Sequence, residues 1–219
     1  QLDKVPGLED VEILGDVLAK DPNAVKQLVS QHADVDGILA VQVGIGTSRH
    51  LQALADSNIP TISFNTPYSG HEWCIIPDLQ RAGKKIDVIA TSNFNDVTAA
   101  IRPFRAIHRL KEARVLNVSN GPADVAYCQA LKQKFGTEVI SLMLPDLQKA
   151  YEAADRGEAM ADMRRWVKEA KKIVEPTKDE ILKSSVMYIA MRDLLAQHGA
   201  AAITMNCLGM GLMDRGMGY

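Results

Sequence analysis

The stretch VDGILAVQV, residues 35–43, decides the fold. It is a near-continuous apolar run, the pattern of a β-strand buried on both faces. Such strands belong to parallel sheets covered by helices. The flanks agree. DPNAVKQLVSQHA (21–33) predicts a helix with Asp21 as N-cap and Pro22 at the first helical position. VEILGDV (11–17) predicts a strand before it. GTSRHLQALADSN (46–58) predicts a helix capped by Thr47 or Ser48, followed by strands at PTISF (60–64) and KIDVIAT (85–91). This β-α-β-α-β order is the signature of a helix-covered parallel sheet.

A second unit repeats the alternation. NDVTAAIRPFRAIHRLKEA (95–113) predicts a helix that Pro103 should kink or break, and the linker between units is expected near residues 92–112. RVLNVS (114–119) and TEVISLML (137–144) predict strands around a helix ending at Gly136. Two long helices follow. The first carries Met160, Met163, Val167, Ala170 and Val174 at helical steps, which predicts a core stripe. The second opens on TKDE (177–180), a capping-box pattern, and ends at His198 and Gly199. AAITMNC (201–207) predicts the last strand. The expected architecture is α/β: two Rossmann- or flavodoxin-like units with parallel sheets, residues 1–95 and 96–219. The second is expected to be truncated at its C-terminal end.

Bulk properties narrow the function. Of 219 residues, 47% are hydrophobic and 24% charged, a composition that buries a core. The net charge of −2 comes from well-mixed charges without a basic block, and aromatics are only 5%. Both argue against nucleic acid as a partner. No apolar run suits a membrane span. Cys74, Cys128 and Cys207 form neither a disulfide framework nor a paired metal motif. A reducing, cytoplasmic setting is expected. Because the chain starts at Gln1 and stops just after a predicted strand, it is expected to be a piece of a longer one.

In parallel sheets ligands gather beyond the carboxyl ends of the strands. The loops there are GIGTSRH (44–50), NTPYSGHEW (65–73), TSNFND (91–96), SNGPAD (119–124), LPD (144–146) and NCLGMG (206–211). GIGTS lacks the dinucleotide pattern, since Arg49 stands where the third glycine belongs. It reads either as a tight turn and helix cap or as free N–H groups awaiting a ligand oxygen. NTPYSGHEW holds more polar groups than a turn needs. Asn65, His71 and Glu72 could hydrogen-bond sugar hydroxyls, and Tyr68 and Trp73 offer flat faces to a sugar ring. Asn120 and Asn206 could also bind hydroxyls, or could satisfy turn backbone. His32, His50, His108 and His198 read as surface or cap residues, and Cys74 as packing beside Trp73.

DGILAVQVGIGTSRHLQALADSNIPTISFNTPYSGHEW (36–73), RVLNVSNGPADVAYCQALKQKFGTEVISLMLPDLQKAYEAA (114–154) and AAITMNCLGMG (201–211) together resemble the amino-terminal domains of the L-fucose/L-arabinose isomerase superfamily. The resemblance implies the substrate-binding portion of a metal-dependent aldose–ketose isomerase, an enzyme in its full-length form. It implies a divalent ion, commonly manganese, that polarises the carbonyl while a carboxylate moves the proton. In that family the metal-binding acids follow the strand corresponding to AAITMNC, so no metal ligand carries over and none is expected in residues 1–219. A homo-oligomer with substrate contacts across a subunit boundary is also implied. The alternative is a bilobed sugar-binding or sensor protein without catalysis, since two α/β lobes describe that class as well.

Overall fold

The computed structural model describes residues 9–207, Gly211 and Met217. The chain divides into two compact units, Gln1–Arg109 and Leu110–Tyr219. In the first, α1 (Pro22–Gln31), α2 (Ser48–Asp56) and α3 (Ile76–Arg81) alternate with β1 (Ile38–Gln42), β2 (Thr61–Asn65) and β3 (Ile86–Ala90). The strands are parallel in the order β1-β2-β3. Side chains alternate across the sheet. Ile38, Ala40 and Ile86 therefore meet Val25, Leu51, Leu54, Ile76 and Leu79 on one face. On the other, Leu39, Phe64 and Ile89 meet Val97, Ile101 and Phe104 of α4 (Asp96–Glu112).

Asp21 caps α1 as expected, its carboxylate accepting from the N–H groups of Asn23 and Ala24 at 2.8 and 2.9 Å. α4 runs unbroken through Pro103. Contacts hold both sides of the proline: Val97 and Ile101 are buried before it, and His108 meets Asp36 at 2.9 Å after it. The helix's burial against the first sheet also places the division between units near its far end, beyond residue 95.

The strand expected at 11–17 is absent. Gly15 takes φ +67°, which interrupts an extended run, and Ile13, Leu14, Val17 and Leu18 stay largely exposed. The segment pairs with no other strand and so forms no ladder.

In the second unit β4 (Arg114–Ser119) lies between β5 (Glu138–Met143) and β6 (Ala202–Met205), all parallel. Leu116 and Val118 face Leu147 of α6 (Leu144–Ala153) and Val186, Ile189 and Ala190 of α8 (Lys178–His198). The other crossover helix, α5 (Val125–Phe135), ends at Gly136 in the left-handed conformation. The TKDE capping box forms reciprocally at α8: Thr177 accepts from the Glu180 N–H at 3.2 Å, and Glu180 accepts from the Thr177 N–H at 2.6 Å.

The stripe 160–174 is not core. α7 spans Arg156–Glu169 and buries only Ala159, while Met160 and Val174 are exposed. α7 packs chiefly against α8, through small Ala159 and a Glu158–Arg192 ion pair, and most of its apolar side chains stay outside the core. Both units are α/β with three-stranded all-parallel sheets of the Rossmann/flavodoxin-like kind. No helix among the described residues is long and apolar enough to cross a membrane.

Candidate functional site

The register of the first sheet sets Gln42, Asn65 and Ala90 in one row at its carboxyl edge. Gln42 and Asn65 are buried, and the Asn65 Nδ2 donates to Gln42 Oε1 at 2.5 Å. Ser63 Oγ donates to Asn65 Oδ1 at 2.7 Å. Gln42 Nε2 then donates to Thr47 Oγ1 at 2.6 Å and to Glu72 Oε2 at 3.0 Å. Glu72 Oε1 accepts from the Gly46 N–H. A chain of polar contacts thus runs from the strand ends through both adjacent loops.

This arrangement answers the question posed by GIGTS. The N–H of Gly46, at the start of α2, meets a carboxylate that the chain itself supplies. An anion at a helix N-terminus is favoured by its exposed N–H groups and dipole. Thr47 occupies the N-cap position without capping, because its hydroxyl accepts from Gln42 instead. The Gly46 N–H and then Glu72's own main-chain N–H hold the Glu72 carboxyl below the usual glutamate range, against an opposing push from burial. Glu72 is therefore a fixed anion and a poor proton donor near neutral pH.

Glu72 brackets loop 65–73 onto loop 44–47 and leaves the residues around it facing outward. Tyr68 is 105% exposed and sits at φ +67°, a left-handed conformation that costs a bulky residue about 1–2 kcal/mol. His71, Trp73 and Cys74 are exposed as well, so Cys74 does not pack as its neighbours suggested. Ser69 closes the turn, its hydroxyl donating to the Thr66 carbonyl at 2.7 Å. Beside it, the N–H of Thr91 donates to the Asn65 carbonyl at 3.1 Å, and Asp96 accepts from Thr91 Oγ1 at 2.7 Å and Asn93 Nδ2 at 3.1 Å.

Of the residues expected to bind ligand, Asn65 and Glu72 join one network, while Tyr68, His71 and Trp73 share its loop. Asn120 and Asn206 belong to the second unit, where both are exposed. Residues 208–210 of NCLGMG lie outside the described residues. Gln42, Thr47 and Ser63 went unread as site residues. Gln42 had a signal: it is the one amide in an otherwise apolar strand. Among the described residues no three His, Cys, Asp or Glu side chains converge to hold a metal ion, so these residues do not fit a manganese site.

The bracket makes stability pH-dependent. A carboxyl whose folded pKa lies below its unfolded value stabilises the fold fully above that value. The contribution is lost as pH falls through the lower, folded one. For Glu72 the loss begins below about 4.5, the ordinary glutamate value. Glu72→Gln should therefore lower the urea midpoint at pH 7, because an amide cannot accept from both Gln42 and Gly46. The gap to the native chain should narrow by pH 3. A gap unchanged between those pH values would show that Glu72 is not the bracket. The chain matches no protein-family model and no curated protein.

Proposed function

We propose that loop 65–73 is a polyol-binding loop, and that the chain is the substrate-binding portion of a sugar isomerase. One observation carries the reading. Glu72 pins the loop to Gly46 and Gln42 at the carboxyl edge of a parallel sheet, while Tyr68, His71 and Trp73 are left exposed. A conformational cost at Tyr68 with no packing in return is the pattern of a residue kept for binding. The edge is where such sheets meet ligands. Flat aromatic faces suit the C–H side of a sugar ring, and an imidazole suits its hydroxyls. Glu72, with both oxygens engaged, acts as a positioning residue. The resemblance noted in the sequence supplies the reaction class. In that family, the metal that polarises the carbonyl is held by acids that follow the strand matching AAITMNC.

The test is calorimetric titration of L-arabinose and L-fucose into the protein and its His71→Ala and Trp73→Ala variants. For His71→Ala, a sugar hydroxyl left without its partner in the bound complex costs about 1–3 kcal/mol, so affinity should fall roughly tenfold to a hundredfold with the melting temperature unchanged, and Trp73→Ala, which removes a stacking face, should weaken binding as well. A fall in melting temperature with unchanged affinity would make the loop structural. Absence of sugar binding in the parent protein would remove the reading altogether.

A further inference from the structure

One face of β2 is polar from end to end although it lies in the core. Thr61, Ser63 and Asn65 alternate along the strand and are 2%, 0% and 3% exposed. The register sets Ser63 between Ala40 of β1 and Val88 of β3, which pack with Leu51, Leu54, Ile76 and Leu79. An aliphatic side chain would suit those surroundings, and a buried hydroxyl is costly there unless it is hydrogen-bonded. Thr61 meets its need locally, donating to the Ile59 carbonyl at 3.0 Å. Ser63 does not. Its hydroxyl donates at 2.7 Å to the Asn65 side chain, the start of the network that reaches loop 65–73.

The bonds of that network run in one sense. Ser63 Oγ donates to Asn65 Oδ1, Asn65 Nδ2 to Gln42 Oε1, and Gln42 Nε2 to Glu72 Oε2. The end of the chain sets the direction, because a carboxylate accepts and cannot donate. Gln42 must therefore turn its amino group to Glu72 and its oxygen to Asn65. Asn65 must in turn give its amino group to Gln42, which leaves its own oxygen toward Ser63. Only a donor satisfies that buried oxygen, and the Ser63 hydroxyl supplies it. Hydrogen bonds linked in this way polarise one another, so each strengthens the next.

We propose that Ser63 is a positioning residue for the candidate site. It holds the Asn65 and Gln42 amides in the orientation that delivers a donor to Glu72, and through them keeps loop 65–73 bracketed to Gly46. At 0% exposure it touches no ligand, so it acts only through the chain of bonds. Its effect on sugar affinity rests on the polyol-binding reading of the loop, whereas its effect on the loop's bracket does not. Ser63→Ala removes a single oxygen and leaves Asn65 Oδ1 buried without a donor. The amide pair then loses its fixed orientation, and the Glu72 bracket opens more often.

The experiment follows amide hydrogen exchange by NMR in the whole chain and its Ser63→Ala variant. The reference is the Leu51 N–H, which donates to the Thr47 carbonyl at 3.1 Å in the same helix start but outside the network. Relative to it, the Gly46 N–H should exchange about tenfold faster or more in the variant. Ser63→Cys, which keeps a similar size but only a weak donor, should behave like Ser63→Ala. Calorimetric titration of L-arabinose and L-fucose should show affinity lowered by about tenfold or more in both variants. No acceleration at Gly46 overturns the proposal. Equal acceleration at Gly46 and Leu51 overturns it too, as a general loosening of the unit. Parent rates in Ser63→Cys would make packing the cause and also overturn it, as would sugar affinity equal in parent and variants. Acceleration at Gly46 in a chain that binds neither sugar leaves Ser63 in place and removes the polyol reading. If Ser63→Ala does not fold, Glu72→Gln reads the network from its other end: the Asn65 side-chain amide resonances should shift, and unchanged resonances overturn the proposal.

Discussion

Replacing Phe64 by alanine should destabilise the first unit by about 3–5 kcal/mol, the range for removing a fully enclosed aromatic side chain. Phe64 is 0% exposed. It lies between Val97 and Ile101 of α4, with the Phe94 ring 5.2 Å away, centroid to centroid. The loss has two parts, the transfer of the ring from water and the cavity it leaves. Helices on one side and a hydrogen-bonded strand on the other limit collapse into that cavity. Against a typical domain stability of about 5–15 kcal/mol, such a loss is a large share of the whole. The measurement is urea unfolding followed by tryptophan fluorescence. Trp73 reports on the first unit and Trp166 on the second, so Trp166→Phe as a background isolates the signal. A loss under about 1 kcal/mol would show that α4 is not packed on this sheet.

Gly136→Ala should cost about 3 kcal/mol or more in the second unit. Two effects act together there. Gly136 ends α5 at φ +81°, which strains any side chain. In addition, a Cβ at this position would lie 2.7 Å from Lys111 Cα and 3.1 Å from the Lys111 carbonyl oxygen. Both are main-chain atoms at the end of α4, held by the Glu138 N–H donating to the Ala113 carbonyl at 2.9 Å. Backbone cannot swing aside as a flexible side chain would. Gly83 separates the two effects. Its φ is +77°, but nothing lies within 4 Å of an added Cβ. Gly83→Ala should show only the left-handed cost of about 1–2 kcal/mol. Thermal unfolding of the two variants checks the argument. Equal losses would mean that the approach of Lys111 contributes nothing.

The candidate site was legible in part. NTPYSGHEW stood out because its polar and aromatic residues exceed what a turn uses, and the strand before it placed it at the sheet's carboxyl edge. Its internal division of labour was not legible. Glu72 and His71 are adjacent and look equivalent in the sequence, yet Glu72 is engaged by Gly46 and Gln42 while His71 is exposed. Gln42 and Glu72 stand thirty residues apart, and only the parallel register brings them together.

By itself, the sequence determined what depends on neighbours along the chain. Asp21 before Pro22, TKDE before α8 and Gly136 after α5 end or begin helices through contacts within a few residues. The apolar runs at 38–42 and 61–65 became parallel strands because helices cover their sheet on both faces, and 114–119 became one with Leu116 and Val118 buried against α6 and α8. Tertiary structure alone decided the rest. VEILGDV has the pattern of a strand, but it pairs with no other strand, and Gly15 at φ +67° interrupts it. The methionines of α7 have helical spacing, but a stripe becomes core only where a second layer covers it, and α7 buries only Ala159, packing chiefly on α8. Pro103 should break a helix in isolation, but packing on both sides of it against one sheet outweighs the lost hydrogen bond. Local rules fix which conformations are cheap. Which of them form is set by the burial and hydrogen bonds that distant residues provide.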